Sequence, residues 1–459
     1  MTTATAAAPE TSTVGLWSPG LRAMTVGSVA LVSLLAFEAL AVGTAMPTVA
    51  RSLDGLGLYA LAFGGPFASG VVAMVASGIW CDARGPRGAM WHGVAWFVAG
   101  LALAGAATSM GALVAGRVVQ GFGSGLLSVA LYVIVGHAYP ERLRRRMFAA
   151  FAAAWVVPSL VGPALAGLIV EHLGWRWVFL AVPAVAVPAV LLVQPGLRSL
   201  AGTVPTRPPV GALARVGWAC GAGASAALLH HGGQQRGVLA AGLIAVALAG
   251  LLTCVPRLLP PGFLRAARGL PTVIGLRGLA SAAFVGAEVV IPLMLSRERG
   301  FSPTGAGLVL TVGALSWSVG SWVQGRIATP RSTAGLPRAG LACIAVGTAG
   351  VASALLPGIP VAPAVLAWAV AGLGMGLLYP SLSVLTLELS APAEQGRNSS
   401  ALQLGDSLAA ATVLALTGAV LASGSSPGPA SYAATLGVAA GCGLLGLLLA
   451  GRVAPRPAV

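Results

Sequence analysis

Fourteen apolar stretches fill this chain almost from end to end, separated by short gaps that carry arginine. The hydrocarbon core of a bilayer is about 30 Å thick, and about 20 helical residues cross it. The composition agrees with such spans, because 57% of the residues are hydrophobic, 8% are charged and the mean hydropathy is +0.90. A soluble chain of 459 residues could not bury this much apolar surface in one or two domains. The sequence therefore predicts an all-α membrane protein with many spans.

The gaps between the apolar stretches predict where each span begins. The predicted starts are Met24, Tyr59, Gly88, Gly111, Met147, Trp175, Gly211, Gly237, Leu270, Ser302, Gly335, Val361, Asn398 and Tyr432. Arginine is concentrated in the gaps after even-numbered spans, for example at Arg84, Arg87 and Arg142. Arginine marks the cytoplasmic side of a membrane protein, so both termini are predicted to be cytoplasmic. We expect a multi-pass protein of a bacterial cell membrane.

An internal repeat divides the chain. The segment GFGSGLL at residues 121–127 returns as GLGMGLL at residues 372–378, 251 residues later, and Arg146 and Arg397 stand at the same offset. Glycine-rich packing helices can produce such a match by chance, but a parallel repeat of two six-span halves is typical of secondary transporters. The predicted organisation is a tail at 1–23, a half at 24–194, a linker with two extra helices at 195–256, a half at 257–452 and a tail at 453–459.

The charged and sulfur-containing residues exclude several function classes. All 26 basic residues are arginine, so the chain lacks the lysine amine of a P-loop or a pyridoxal site. Topology explains the net charge of +15, and we expect no nucleic-acid partner. The five cysteines are far apart, and the adjacent His230 and His231 have no third ligand nearby. We expect no enzyme activity, no metal and no cofactor other than a coupling proton, in a monomer that binds a small molecule within the bilayer.

Two ionisable residues lie inside predicted spans of the first half. Glu38 is midway along span 1, where a carboxyl group can exchange a proton and its ionised form attracts a cation. The alternative is a permanently protonated acid that is hydrogen-bonded to a neighbouring helix. Arg117 in span 4 stays charged, so it either biases the proton affinity of an acid or holds a helix end. Gln120 lies one turn away on the same face and is a further candidate for the substrate cavity.

Three more ionisable residues lie inside spans of the second half. Arg277 and Glu288 are 11 residues apart, or about 16 Å along a helix, so they cannot pair directly. We expect Arg277 to extend its side chain to the cytoplasmic surface. Glu288 and Asp406 are candidate cavity residues, with structural pairing between helices as the alternative. Trp155 in span 5 is a candidate for stacking on an aromatic substrate, and core packing is the alternative.

The gap after span 2 reads GIWCDARGPRG and resembles the loop signature of the major facilitator superfamily. The residues that carry this resemblance, and that form the gate motif it implies, are Gly78, Asp82, Arg84, Gly85 and Arg87. Departures occur at Ala83 and Pro86, where the family usually has basic residues. The resemblance implies a major facilitator fold, in which Asp82 joins a charge network with a facing helix end and helps to close the cytoplasmic side.

Further segments resemble the same family in the same order. RVVQGFGSG is similar to the family's span 4 motif, with Arg117 as its arginine. GPALAG is similar to the antiporter motif, with Gly162, Pro163 and Gly167 in place. In this motif small residues let helices approach and the proline bends span 5. GWRWVF and MPTVARSL resemble the branch of fourteen-span drug:proton antiporters, in which Glu38 would take the place of an aspartate.

The residues and the resemblance together suggest a function. We expect a proton-coupled antiporter that exports amphipathic, cationic or drug-like molecules by alternating access, as in multidrug efflux and antibiotic resistance. Glu38 and Arg117 are the predicted proton-coupling residues. Alternatives are a dedicated exporter or importer of one metabolite, lipid or self-made antibiotic, and a membrane sensor or scaffold that transports nothing.

Overall fold

The structure is a computed structural model that describes residues 15–55, 58–198, 211–233, 235, 237–327, 335–422 and 428–454. These residues form helices and no strand. They contain 14 helices that are long and apolar enough to cross a membrane. The prediction of fourteen spans in an all-α protein is therefore confirmed. The predicted tails fall largely on residues 1–14 and 455–459, outside the described part of the chain.

The first half contains six spans, two of which are broken into two helices each. Its helices are α1 (Pro19–Ser52), α2 (Tyr59–Arg84), α3 (Pro86–Gly105), α4 (Met110–Ala138), α5 (Glu141–Ala153), α6 (Val156–His172), α7 (Arg176–Leu180) and α8 (Val182–Arg198). Helices α5 and α6 together form one span, and α7 and α8 form the next. Within this half α4 packs against α2 and α3, and α1 packs against α6 and α8.

The second half and the two inserted helices complete the bundle. The inserted helices are α9 (Ala212–Gly232) and α10 (Gly237–Leu258), and the second half contains α11 (Leu270–Arg299), α12 (Pro303–Arg326), α13 (Gly335–Val351), α14 (Ala362–Glu388), α15 (Gln395–Ala422) and α16 (Pro429–Leu449). Helix α9 packs closely on α2, because a Cβ atom on Gly223 would lie 2.6 Å from the Ala68 oxygen. It also contacts α15, so the inserted pair touches both halves.

The repeated glycine segment has the same packing role in both halves. A Cβ atom on Gly121 would lie 2.2 Å from the Pro66 oxygen of α2, and one on Gly123 would lie 2.1 Å from the Phe97 nitrogen of α3. In the second half, Gly372 approaches α12 in the same way, and Gly374 approaches α13. Small residues let membrane helices approach this closely. Equivalent glycines therefore make equivalent contacts in the two halves, as a repeat of one unit predicts.

Span 5 breaks at Trp155, between α5 and α6. Pro158 has no backbone N–H, so the carbonyl group of Ala154 loses its partner one turn later in the helix. The Ser33 hydroxyl of α1 donates a hydrogen bond to that carbonyl oxygen at 3.0 Å. Pro163, which was predicted to bend this span, instead lies inside the continuous helix α6. The break in the span therefore lies at Trp155, and a bend at Pro163 within α6 stays a prediction.

Candidate functional site

A cavity of about 420 Å³ lies between the two halves of the bundle. Side chains from α1, α4, α5 and α6 form one wall, and side chains from α11, α12, α14 and α15 form the other. Binding cavities for small molecules commonly have volumes of about 300–1,000 Å³ and mostly apolar walls. Of the five residues predicted for the substrate cavity, the structure places Trp155, Glu288 and Asp406 in its wall, and it places Glu38 and Gln120 elsewhere.

An ion pair and a tyrosine form a network in the wall of the second half. The Arg277 Nε atom lies 3.3 Å from an oxygen of Asp406, and the Tyr379 hydroxyl donates to the other oxygen at 2.8 Å. The Arg277 guanidinium stacks 3.6 Å from the centre of the Tyr379 ring. It also donates to the Ser383 hydroxyl at 3.2 Å. Asp406 therefore has both oxygens engaged, and its charge is balanced by Arg277.

The Arg277 side chain is 4% exposed and points into the bundle. The expectation that it would extend to the cytoplasmic surface was wrong, because Asp406 and Tyr379 offer a charged and an aromatic partner inside the protein. Arg277 also reaches the first half, since its Nη2 atom lies 3.4 Å from the hydroxyl oxygen of Tyr132 on α4. The network therefore links the two halves at the cavity.

Glu288 lies in the same wall without a partner. Among the described residues, it makes neither a hydrogen bond nor an ion pair. Phe284, one turn earlier on α11, packs edge to face on Trp317, with ring centres 5.3 Å apart, and both rings line the cavity. The cavity thus contains one uncompensated acid beside an aromatic surface. A carboxylate and the faces of aromatic rings are both groups that attract organic cations.

Glu38 is engaged in an ion pair that lies away from the cavity wall. Its carboxylate accepts a hydrogen bond from Nη1 of Arg117, which also donates to the Gln120 side chain at 2.6 Å. The Arg117 Nε atom donates to the Ala62 oxygen of α2 at 3.3 Å. All three residues are buried, with exposed fractions of 8% for Glu38, 6% for Arg117 and 1% for Gln120. The cluster ties α1, α2 and α4 together.

Trp155 stands at the break in span 5 and is 47% exposed, so it faces the cavity instead of packing in the core. Trp155 follows Ala154 in the short gap between α5 and α6 and directly precedes α6. The Phe148 and Phe151 side chains of α5 line the same wall. The alternative interpretation, in which Trp155 packs in the core, does not fit this exposed position in the cavity wall.

The gate motif forms a contact between the halves, which we call the gate contact: the Asp82 carboxylate and the backbone N–H groups of Gly396 and Arg397. The two Asp82 oxygens accept hydrogen bonds from these groups at 2.6 and 2.8 Å. The N–H groups belong to the first turn of α15, where the helix dipole favours a negative charge. Asp82 therefore lies against a facing helix end, as the resemblance implied.

The other residues of the gate motif have different local roles. A Cβ atom on Gly78 would lie 2.8 Å from the Gly396 oxygen, so only glycine allows this approach of α2 to α15. Gly85 ends α2 with a φ of 77°, in the region that favours glycine. The side chains of Arg84 and Arg87 are exposed. They are available to the membrane surface or to the solvent.

A second polar contact joins the halves on the same side of the bundle. The Arg145 side chain of α5 donates to the Ile327 oxygen at the end of α12 at 3.3 Å. Helices α12 and α5 approach closely here, because a Cβ atom added to Gly325 would lie 3.3 Å from the Cβ atom of Ala149. The described polar contacts between halves therefore include two near the gate motif and one at the cavity.

The glycines of the predicted antiporter motif are not packed tightly. A Cβ atom on Gly162 would lie 3.7 Å from Phe37, an ordinary contact, and one on Gly167 would meet nothing within 4 Å. The expectation that these glycines allow a close helix approach is not met in this structure. The reason is that α6 leaves much of its surface uncovered, with Val161 51% exposed and Leu168 55% exposed.

Several of the residues that shape the site had no signal in the sequence. Tyr379, Tyr132 and Ser383 surround Arg277, yet each reads as an ordinary residue in an apolar stretch. Tyr132 and Ser383 do stand 251 residues apart, the offset of the internal repeat. That offset is the one signal that could have brought them together.

The fold and the site define a membrane transporter with two repeated halves around a central cavity, and the protein is not an enzyme. Residues 27–409 match the Major Facilitator Superfamily, and the chain belongs to this family. A probable multidrug-efflux transporter of Mycobacterium tuberculosis is 28% identical over 418 residues, which cover 88% of this chain and 87% of that protein. The multidrug transporter protein MdtP of Bacillus subtilis is 25% identical over 84% of this chain and 72% of its own length.

Solved structures show the same fold. A bacterial homologue of the iron transporter ferroportin, in its outward-facing state, matches with a TM-score of 0.69 and 14% identity. The match covers 94% of this chain and 98% of that one. The resemblance to the major facilitator superfamily and the predicted fold are thereby confirmed.

Proposed function

We propose that this protein exports amphipathic, cationic small molecules from the cytoplasm in exchange for protons, by alternating access. The observation that carries the proposal is the unpaired acid Glu288 in the cavity between the two halves. Relatives that share most of the chain are named as multidrug transporters, which supports export of drug-like molecules.

The charge balance of the wall favours a cation with a single charge. Arg277 and Asp406 neutralise each other, so an ionised Glu288 leaves the cavity with one net negative charge. An isolated carboxylate in an apolar environment is costly, so it binds either a substrate cation or a proton. The substrate cation and the proton compete for one carboxyl group. Binding of the cation on one side of the membrane and of the proton on the opposite side therefore exchanges the cation for the proton.

The cluster of Glu38, Arg117 and Gln120 is the proposed second proton site. Protonation of Glu38 would cancel its attraction to Arg117, which keeps its bonds to Gln120 and to the Ala62 oxygen. The remaining bonds join α4 to α2, whereas the weakened one joins α4 to α1, so a proton on Glu38 would alter the packing of α1 in the first half. Glu38 would thus act on the transport cycle without touching the substrate.

The gate contact supports a conformation that is closed on the cytoplasmic side. Asp82 joins α2 of the first half to α15 of the second at the ends that the arginine distribution assigns to the cytoplasm. Opening the cavity to the cytoplasm requires these two hydrogen bonds to break. Exchange of one proton for one singly charged cation moves no net charge, so the pH gradient drives it, and each pH unit sustains about a tenfold gradient of the cation, which is about 1.4 kcal/mol.

Purified protein in liposomes with an imposed pH gradient tests the proposal. We expect accumulation of a fluorescent lipophilic cation in vesicles that are acidic inside, and its loss when an ionophore removes the gradient. Glu288→Gln should abolish the accumulation and Glu38→Gln should uncouple it from the gradient. Glu171→Gln, which changes an exposed acid at the end of α6, is the matched control.

Two outcomes would contradict the proposal. Gradient-driven transport that survives Glu288→Gln with an unchanged rate would exclude this residue from cation binding. Transport of one dedicated compound, with several unrelated dyes ignored, would favour a dedicated exporter over multidrug efflux.

A further inference from the structure

The charged side chains of the cavity are confined to one of its two walls. Arg277, Glu288 and Asp406 all belong to the second half. The wall of the first half contains no arginine, aspartate, glutamate or histidine among its described residues. It consists mainly of apolar side chains, which include Val32, Leu35, Leu40, Phe148, Phe151 and Trp155. The cavity is therefore amphipathic across its width.

The internal repeat allows the side chains of the two walls to be compared at equivalent positions. Four pairs of lining residues stand 251 residues apart, so each pair occupies the same place in the two halves. The pairs are Ser128 and Tyr379, Tyr132 and Ser383, Ala152 and Gln403, and Trp155 and Asp406. In the last two pairs the first half provides an apolar group where the second half provides a polar one. At these two positions the wall of the first half is apolar where the wall of the second half is polar, whereas the first two pairs carry a hydroxyl group in both halves.

We propose that the two halves divide the recognition of the substrate, so that each amphipathic cation lies in one orientation across the cavity. Its charged head contacts the wall of the second half, where Glu288 determines the sign of the charge. Its apolar body lies against the wall of the first half. The inference rests on the proposed function only in that an amphipathic cation enters this cavity, and it does not depend on proton coupling.

The remaining polar groups agree with this orientation. The three polar lining residues of the first half, Ser128, Tyr132 and Ser159, are neutral, and the Tyr132 hydroxyl already faces Arg277. The face of the Tyr379 ring is covered by the Arg277 guanidinium, so it is not free to bind a second cation. Of the aromatic rings beside Glu288, Phe284 is 4% exposed and stacks on Trp368 with ring centres 4.4 Å apart, so Trp317 is the ring that can contact the head of the substrate.

Two photoreactive probes test the orientation in purified protein without any pH gradient. Both are alkyl quaternary ammonium compounds with a diazirine, placed beside the ammonium group in one probe and at the end of the alkyl chain in the other. Peptide mapping by mass spectrometry locates the labels. We expect the head probe to label α11 and α15 and the tail probe to label α1, α5 and α6.

The binding of a cation and of its neutral isostere to variants tests the role of Glu288. Glu288→Gln should weaken binding of the cation about 10- to 100-fold, because it removes the attraction between the ammonium charge and the carboxylate, and it should leave binding of the isostere within about twofold. Glu288→Asp, which keeps the carboxylate, should keep much of the preference for the cation over its neutral isostere. Trp155→Ala should weaken binding of both compounds to the same extent.

Labels that fall on both walls with either probe, or labels that are reversed, would overturn the proposal. Labelling that an excess of unlabelled cation does not reduce would also count against it. Because no gradient is applied, a failure of proton coupling leaves these results unchanged, and the two proposals can fail separately.

Discussion

The gate contact offers the sharpest test of how this protein closes. In Asp82→Asn, one carboxylate oxygen becomes an NH₂ group that cannot accept a hydrogen bond. The variant therefore keeps one of the two bonds to the first turn of α15, and that bond no longer involves a charge. The second N–H is left facing another donor. The change in volume is small, so packing between α2 and α15 should be preserved.

The size of the effect follows from the two bonds. Hydrogen bonds to charged groups contribute about 1.5–3 kcal/mol and neutral ones about 0.5–1.5 kcal/mol. Losing one charged bond and weakening the other removes about 2.5–4.5 kcal/mol from the closed state. Because the contact forms only when α2 and α15 meet, the whole loss appears in the gate equilibrium. At 1.4 kcal/mol for each factor of ten, the open population should rise about 60- to 1,600-fold.

Distances between spin labels on the two sides of the gate contact measure this equilibrium. Suitable positions are Arg87 and Ala393, which are both exposed, in a background without the native cysteines. Asp82→Asn should add a population at longer distance, whereas Asp54→Asn, in the exposed turn after α1, should not. An unchanged distance distribution in Asp82→Asn would refute the assignment of the gate contact as the closing element.

Three further sets of substitutions test the packing of the bundle through thermal unfolding in detergent. Gly123→Val should destabilise the protein by about 1–3 kcal/mol or more, because its side chain would overlap the α3 backbone, whereas Gly111→Ala, with open space around it, should be neutral. Glu38→Gln and Arg117→Met should each lower the free energy of unfolding by about 3–5 kcal/mol, because each leaves a buried group without its charged partner. The double variant should lose less than the sum of the two, since it leaves no unpaired charge, and additive losses would contradict the ion pair. Ser33→Ala should cost about 0.5–1.5 kcal/mol by leaving the carbonyl group at the break in span 5 without its donor, and no loss would mean that another group replaces it.

The sequence predicted the spans well, because each span must be long and apolar whatever it packs against. The repeat was also predictable, since alternate glycines at Gly121 and Gly123 contact two different neighbours, and their equivalents at Gly372 and Gly374 do the same. The gate motif was found by its resemblance to a family. The local reasons for Gly78 and Gly85 are a close approach and a positive φ.

The partners of the intramembrane charges were not predictable from position along a helix. Arg277 and Asp406 are 129 residues apart, and nothing in either segment indicates that α11 and α15 face each other at that depth. The same holds for Glu38. Its position midway along the span indicated that it was buried, but not that it would form an ion pair with Arg117. Pairing depends on the rotation of each helix about its axis, which the uniformly apolar spans leave undetermined.

The distribution of ion pairs suggests how the halves can move as units. In the described part of the chain, the buried pair of Glu38 and Arg117 lies within the first half, and the pair of Arg277 and Asp406 lies within the second. The polar contacts between halves are hydrogen bonds to neutral groups: Asp82 to backbone N–H groups, Arg145 to a carbonyl oxygen and Arg277 to a tyrosine hydroxyl. Breaking a buried ion pair is expensive, whereas water can replace the partner of a hydrogen bond at an opening interface. Under the proposed mechanism, rocking of the halves would leave each half intact and break the contacts that water can replace, which is the behaviour that alternating access requires.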